Sequence, residues 1–162
     1  MHQGDLTRWM YHGQRPHRLA MALNGLWAKL AAAGLGAGRV VTLEVRGRTT
    51  GRPISLPVVP VMVDGQRYLV SMLGDNVSWV LNVRAAGGRA VLRHRDREEG
   101  CLKEVAPDLR APIVKAYLQR APGARPHIRV DKDAPLSAFE SVAAAVPTFR
   151  VLGRDPGAKR SR

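Results

Sequence analysis

The sequence predicts an α+β fold built around a small antiparallel β-barrel. Two observations carry that expectation. From Val40 to Val105, alternating apolar runs and hairpin turns dominate, with one short helical stretch among them, and helical spacing returns mainly towards the chain's two ends. The regular alternation of strand and helix that builds a parallel sheet is missing, so the strands are expected to pair as antiparallel hairpins. No internal repeat and no linker divides the chain.

Residues 1–15 form an arm without a sustained period, containing the apolar trio Trp9, Met10 and Tyr11. From Pro16, the residues Leu19, Ala20, Leu23, Leu26, Trp27 and Leu30 recur at helical spacing, with proline in its tolerated first turn and Gly34, Gly36 and Gly38 ending the run. This helix reads as packed on a sheet rather than lying on a membrane, because its polar face carries only Arg18 and Lys29 as cations.

Val41, Leu43 and Val45 alternate with Thr42, Glu44 and Arg46, the pattern of a half-buried strand. A Gly- and Arg-rich loop follows, and Ile54 to Val63 reads as a second strand interrupted by Pro57 and Pro60, which mark an edge or a bulge. Asp64-Gly65 is a two-residue hairpin signal returning through Arg67 to Leu73. Asp75 or Asn76 is expected to cap a helix that Gly87-Gly88 ends, with Trp79, Asn82 and Val83 sharing one side. Strands over Arg89 to His94 and Cys101 to Val105 flank a charged turn, Arg95 to Gly100. Ile113, Val114, Tyr117 and Leu118 predict a helix, and Leu136, Phe139, Val142 and Ala143 a last one after a polar loop. Thr148 to Leu152 closes the chain as a strand.

Length and composition fit one domain, residues 16–153, with a basic tail, residues 154–162, that mixes Gly, Pro and Ser. The sequence lacks a bilayer-length apolar run and a secretory start, which predicts a cytoplasmic protein. The net charge of +13 gathers anions of any kind, and nucleic acid, acidic lipid and a polyanionic cofactor all satisfy it. An aromatic share of 5% leaves few rings for stacking bases, and no basic-helix motif is present, so a specific nucleic-acid partner is not expected. A weak membrane-surface contact stays open.

The sequence contains no Gly-x-Ser-x-Gly elbow, Walker loop or Rossmann fingerprint. Cys101 stands alone and reads as a small apolar filler, and the five histidines show no ligand spacing, so no metal site is expected. Anion binding and stacking remain. Arg48 and Arg52 flank a turn whose glycines let successive amides point one way, an arrangement that suits phosphate and equally suits a solvated hairpin. Trp79 with Asn82 and Arg84 on one short helix adds an indole to that cradle.

Taken as an ordered set, Thr42-Leu43-Glu44-Val45-Arg46-Gly47-Arg48-Thr49-Thr50-Gly51-Arg52-Pro53, then Asp64-Gly65-x-x-Tyr68-Leu69-Val70, then Trp79-x-x-Asn82-Val83-Arg84-Ala85, the motifs resemble the deazaflavin-dependent nitroreductase family. The resemblance implies a split β-barrel of the flavin-reductase kind. It also implies hydride transfer from the reduced 8-hydroxy-5-deazaflavin coenzyme (coenzyme F-420) to a small-molecule quinone, nitro compound or activated alkene. FMN stays open as the alternative ring. By position it places Arg48, Thr49, Thr50, Gly51 and Arg52 at the coenzyme phosphate, and Pro57, Trp79 and Asn82 beside the ring system. Backbone groups of Ser71, Met72 and Leu73 would line the ring edge. Where many relatives carry lysine after the loop arginine this chain has Thr49, which shifts the expected phosphate contacts to Arg48, Arg52 and Arg84. Tyr11, Tyr68 and Tyr117 are candidate proton donors or pocket walls. A coenzyme carrier without turnover and a nucleic-acid binder are the rival functions; the oligomeric state is not legible.

Overall fold

A computed structural model describes residues 40–153. The expected arm, the helix from Pro16 and the basic tail lie outside the described residues. The strands β1 (Val41–Arg46), β2 (Pro53–Val58), β3 (Val61–Val63) and β4 (Gln66–Val70) come first, followed by helix α1 (Ser78–Ala85). Strands β5 (Arg89–Arg93) and β6 (Arg97–Glu104), helices α2 (Ala111–Arg120) and α3 (Leu136–Ala143), and strand β7 (Thr148–Gly153) complete the described chain.

The seven strands form one antiparallel sheet in the order β2-β1-β5-β6-β7-β4-β3. Its two edges, β2 and β3, are consecutive in sequence and joined through Val59-Pro60. The curled sheet is therefore closed by a chain crossing rather than by a hydrogen-bond ladder, a split β-barrel. The stretch from Ile54 to Val63, expected as one strand interrupted by Pro57 and Pro60, is two strands that part at Val59-Pro60, the first running on through Pro57. Proline at 60 cannot donate to a ladder, and the chain uses it where one edge ends and the other begins. Pro57 stays within β2, opposite Thr42, and an edge strand tolerates its missing donor.

Leu43, Val45, Leu56, Leu69, Leu92, Leu102, Phe149 and Val151 fill the barrel interior, and α1 plugs it with Val80 and Val83. A second core lies outside the sheet, where Val59, Val61 and Val70 meet Ile113, Val114, Tyr117 and Leu118 of α2 and Phe139 of α3. Arg110, buried before α2, ties this layer down by donating to the carbonyls of Val105, Ala144 and Val146 and to Glu104.

The hairpin at Asp64-Gly65 forms as expected, pairing Val63 with Gln66, with both turn residues at positive φ. Three boundaries move. The return strand ends at Val70, because the Ser71 amide turns to the Pro147 carbonyl. Neither Asp75 nor Asn76 caps α1; Val77 holds that place without a side-chain bond, and Asp75 instead pairs with Arg84 at 2.7 Å. Strand β6 begins at Arg97, so the charged turn is short. Arg97 and Glu99 lie on the exposed side of a strand, where charge costs nothing.

Candidate functional site

The loop from Gly47 to Arg52 is a tight connection between β1 and β2, closed by the Gly47 amide on the Arg52 carbonyl and the Gly51 amide on the Gly47 carbonyl, both at 2.8 Å. It is anchored to α1 by Arg48. The backbone amide of Arg48 donates to Asn82 Oδ1 at 3.1 Å, and its guanidinium donates to the same oxygen at 2.8 Å and to the Ser78 carbonyl at 3.4 Å. Asn82 is only 2% exposed. With Oδ1 committed to Arg48, its amide group is oriented, and its NH2 donates to no described residue. The amides of Thr49 and Thr50 and the guanidinium of Arg52 likewise have no hydrogen-bond partner among the described residues, and a Cβ added at Gly51 would meet nothing within 4 Å. Among the described residues the loop thus presents N–H donors without partners, the chemistry of an anion cradle.

Beside Ser78, Trp79 stands at the start of α1. Its ring packs against Phe149 of β7 with centroids 5.5 Å apart and planes tilted by 56°, which fixes the indole from the core side. Its other surroundings form a cleft of about 80 Å3 shared with Pro57, Ser71, Met72, Leu73 and Tyr117. Ser71 is locked there by its amide on the Pro147 carbonyl and by its hydroxyl on the Gly74 carbonyl, at 2.8 Å each. The cleft is largely apolar, with Trp79 and Pro57 among its walls. Val59, Val70 and Val77 also line it, and nothing in the sequence marked them as walls.

The structure brings Pro57, Ser71, Met72, Leu73 and Trp79 to this cleft; Arg48 through Arg52 and Asn82 do not line it, and the loop is joined to α1 through the bonds of Arg48 to Ser78 and Asn82. Arg84 is separate in its engagement. Its guanidinium reaches Glu104 at 2.5 Å and Asp75 at 2.7 Å, and these hydrogen bonds push its pKa further up. The same contact holds the Glu104 carboxyl below its ordinary range. Tyr68 lies on β4 against the outer core and does not line the cleft.

A larger hollow of about 810 Å3 lies over β1, β5 and β6, with Glu44, Arg46, Arg89 and Arg97 on its walls and Gly51 of the loop and Pro53 at its border. It contains no aromatic side chain; of its cations Arg97 binds Glu99, and its carboxylate Glu44 is taken by Arg93 at 3.0 Å. Size alone does not make it a ring site. Among the described residues there is no group of three His, Cys, Asp or Glu side chains placed to hold a metal ion, and no helix is long and apolar enough to cross a membrane.

Comparison with known proteins follows the same lines. The sequence model described as F-420H(2)-dependent quinone reductase matches residues 27–138. None of the curated proteins is similar in sequence at a significant level. Among solved structures, a protein of unknown function from Agrobacterium tumefaciens superposes with a TM-score of 0.54 at 12% identity; the match covers 73% of this chain and 49% of that one, so this chain spans about half its length. An F-420-H2 dependent reductase superposes with a TM-score of 0.50 at 18% identity, covering 70% of this chain and 93% of the other. An FMN-binding protein related to pyridoxamine 5'-phosphate oxidase, from Nostoc punctiforme, gives a TM-score of 0.50 at 14% identity, covering 80% and 78%. At these identities the structural likeness concerns the fold: a split barrel.

Proposed function

The chain belongs to the F-420H(2)-dependent quinone reductase family, and from that premise we propose that it passes hydride from the reduced deazaflavin coenzyme to a small quinone-type acceptor. The observation that supports this reading is the Arg48–Asn82 clasp, which ties a loop whose N–H donors lack partners among the described residues to the helix whose Trp79 walls a cleft with Pro57. A phosphorylated planar ring needs both.

The residues fit such a group. The amides of Thr49 and Thr50 and the guanidinium groups of Arg48 and Arg52 would hold its phosphate, with the space at Gly51 leaving room for it. Arg84 would contribute field rather than contact, since Asp75 and Glu104 already take its donors. The ring would rest on Trp79 and Pro57, and the backbone of Ser71, Met72 and Leu73 would border its edge. When bound, the coenzyme supplies the hydride. The chain's own part is to orient, to desolvate one ring face, and to leave the other face open to the acceptor. That division of labour accounts for a cleft without an acid/base pair. Quinone is proposed over nitro compound or alkene as the acceptor because the family description names it.

Titration of the full chain with the deazaflavin coenzyme and with FMN, followed by quinone reduction under reduced coenzyme, tests the reading. Tighter binding of the deazaflavin, turnover, and at least about tenfold weaker binding by Arg48→Ala are expected, about 1.4 kcal/mol for a charge-assisted contact. Binding without turnover would replace the enzyme by a carrier. Unchanged affinity in the Arg48 variant would remove the loop from the site.

A further inference from the structure

Tyr117 sits on α2 among ordinary core neighbours, Ile113, Val114 and Leu118. It differs from them in also lining the Trp79 cleft, where it joins Pro57 and Ser71. The residue is 5% exposed, and its hydroxyl makes no hydrogen bond to any described residue. Among side-chain nitrogen and oxygen atoms of the described residues, only Arg120 Nε is both sealed from solvent and unpartnered. The Tyr117 hydroxyl is therefore without a partner among the described residues but not sealed, and its residue lines the cleft.

A phenol in that position is a donor awaiting an acceptor, because buried polar groups are almost always satisfied in the working state of a protein. Burial pushes its pKa well above the ordinary value of 10, so the group stays protonated at neutral pH. An acid that weak keeps its proton, so its role is to donate a hydrogen bond rather than to transfer a proton. The acceptor must be a neutral or partly negative oxygen on an otherwise apolar, flat molecule.

The geometry points to Tyr117 as the hydrogen-bond donor to a carbonyl oxygen of the coenzyme ring, turning that ring to one orientation against Trp79. This rests on the coenzyme reading above and specifies which edge of the ring enters the cleft. Of the three tyrosines, Tyr11 lies outside the described residues and Tyr68 does not line the cleft, so Tyr117 is the one that meets both conditions among those described.

Tyr117→Phe in the full chain removes the hydroxyl and keeps the ring that packs α2. Four readings are taken: the melting temperature without ligand, the affinity for oxidised deazaflavin coenzyme, the absorption band of the bound coenzyme, and the KM for a quinone. The expected result is an equal or higher melting temperature, binding weaker by about fivefold to tenfold, and a bound band displaced from that of the parent chain. A purely structural tyrosine would lower the melting temperature and leave the bound band in place, and that outcome, or failure to fold, overturns the inference. Parent-like affinity and band in the variant also overturn it, while leaving the coenzyme reading intact. A loss confined to quinone KM assigns the hydroxyl to the acceptor and overturns the ring assignment. If the parent chain itself takes up no deazaflavin, both readings fall together.

Discussion

Asn82 Oδ1 accepts both the backbone amide and the guanidinium of Arg48, at 3.1 and 2.8 Å, across 34 residues of sequence. A single buried carboxamide thereby fixes the position of the β1–β2 loop relative to the helix that carries Trp79. Asn82→Ala removes both bonds and is expected to cost about 1–2 kcal/mol of stability and to weaken coenzyme binding. Arg48→Ala keeps the backbone bond, so it should lower affinity with little change in melting temperature. Because the two residues act as one unit, the double variant should bind no more weakly than the worse single one by more than a small margin. Chemical denaturation and fluorescence titration of the three variants decide it; additive losses would show the clasp to be energetically separable.

Trp79 packs against Phe149, so under the proposed coenzyme reading the ring would meet an indole that the fold already positions. Trp79→Phe is expected to keep the fold and lower coenzyme affinity modestly, and Trp79→Ala to lower it by roughly tenfold, since an aromatic contact is worth about 0.5–1.5 kcal/mol beyond its area. Titrations that put both variants at parent affinity would remove the indole from the ring site.

Gly87 and Gly88, which end α1, share a left-handed backbone, with φ of 63° and 84°. Their surroundings differ. A Cβ at Gly87 meets nothing within 4 Å, whereas one at Gly88 would lie 2.5 Å from the Leu102 carbonyl oxygen of β6. The Gly88 carbonyl also accepts from the Leu102 amide at 2.7 Å, so the backbones cannot separate without losing that bond. Gly87→Ala should cost about 1 kcal/mol of conformational strain, and Gly88→Ala clearly more, with the barrel end loosened. Comparable melting temperatures for the two would contradict this close approach.

Much of the barrel was legible because its signals are local. Asp64-Gly65 names its own turn, and the alternation of Val41, Leu43 and Val45 names its inward face. What misled were residues whose partners are distant. Asp75 has the chemistry of a helix cap but is drawn to Arg84, which Glu104 of β6 also holds, and no local pattern reports that pairing. Arg97 and Glu99 read as a turn because a charged strand facing outwards has no apolar period to show. The cleft lay between these cases: Trp79 and Asn82 were visible by their spacing, but nothing local separated Tyr117 from Tyr11 and Tyr68 as a pocket wall until α2 and Pro57 were seen to share the cleft. The sequence showed donors and rings; only the tertiary structure showed which of them lack partners.

Glu104 links three parts of the molecule, since it receives Arg84 from α1 at 2.5 Å and the buried Arg110 at 3.3 Å. The Arg84 hydrogen bond is the main reason its carboxyl titrates below the ordinary value of 4.5, and attraction to Arg84 and Arg110 adds to it against the cost of burial. A carboxyl whose folded pKa is depressed binds fewer protons folded than unfolded over that interval. Its contribution is therefore fully present above the unfolded value and is lost as pH falls through the folded one. The parent chain should lose stability as pH is lowered from 4.5, and Glu104→Gln should start lower and lose less over the same range. At neutral pH the variant leaves Arg110 buried with carbonyl partners alone, at a cost of about 1–3 kcal/mol. Melting curves from pH 7 to pH 3 provide the check: an acid limb of equal steepness in both chains would show that Glu104 is not the group protonated there, and the pairing of α1 with β6 would then have to be held by something else.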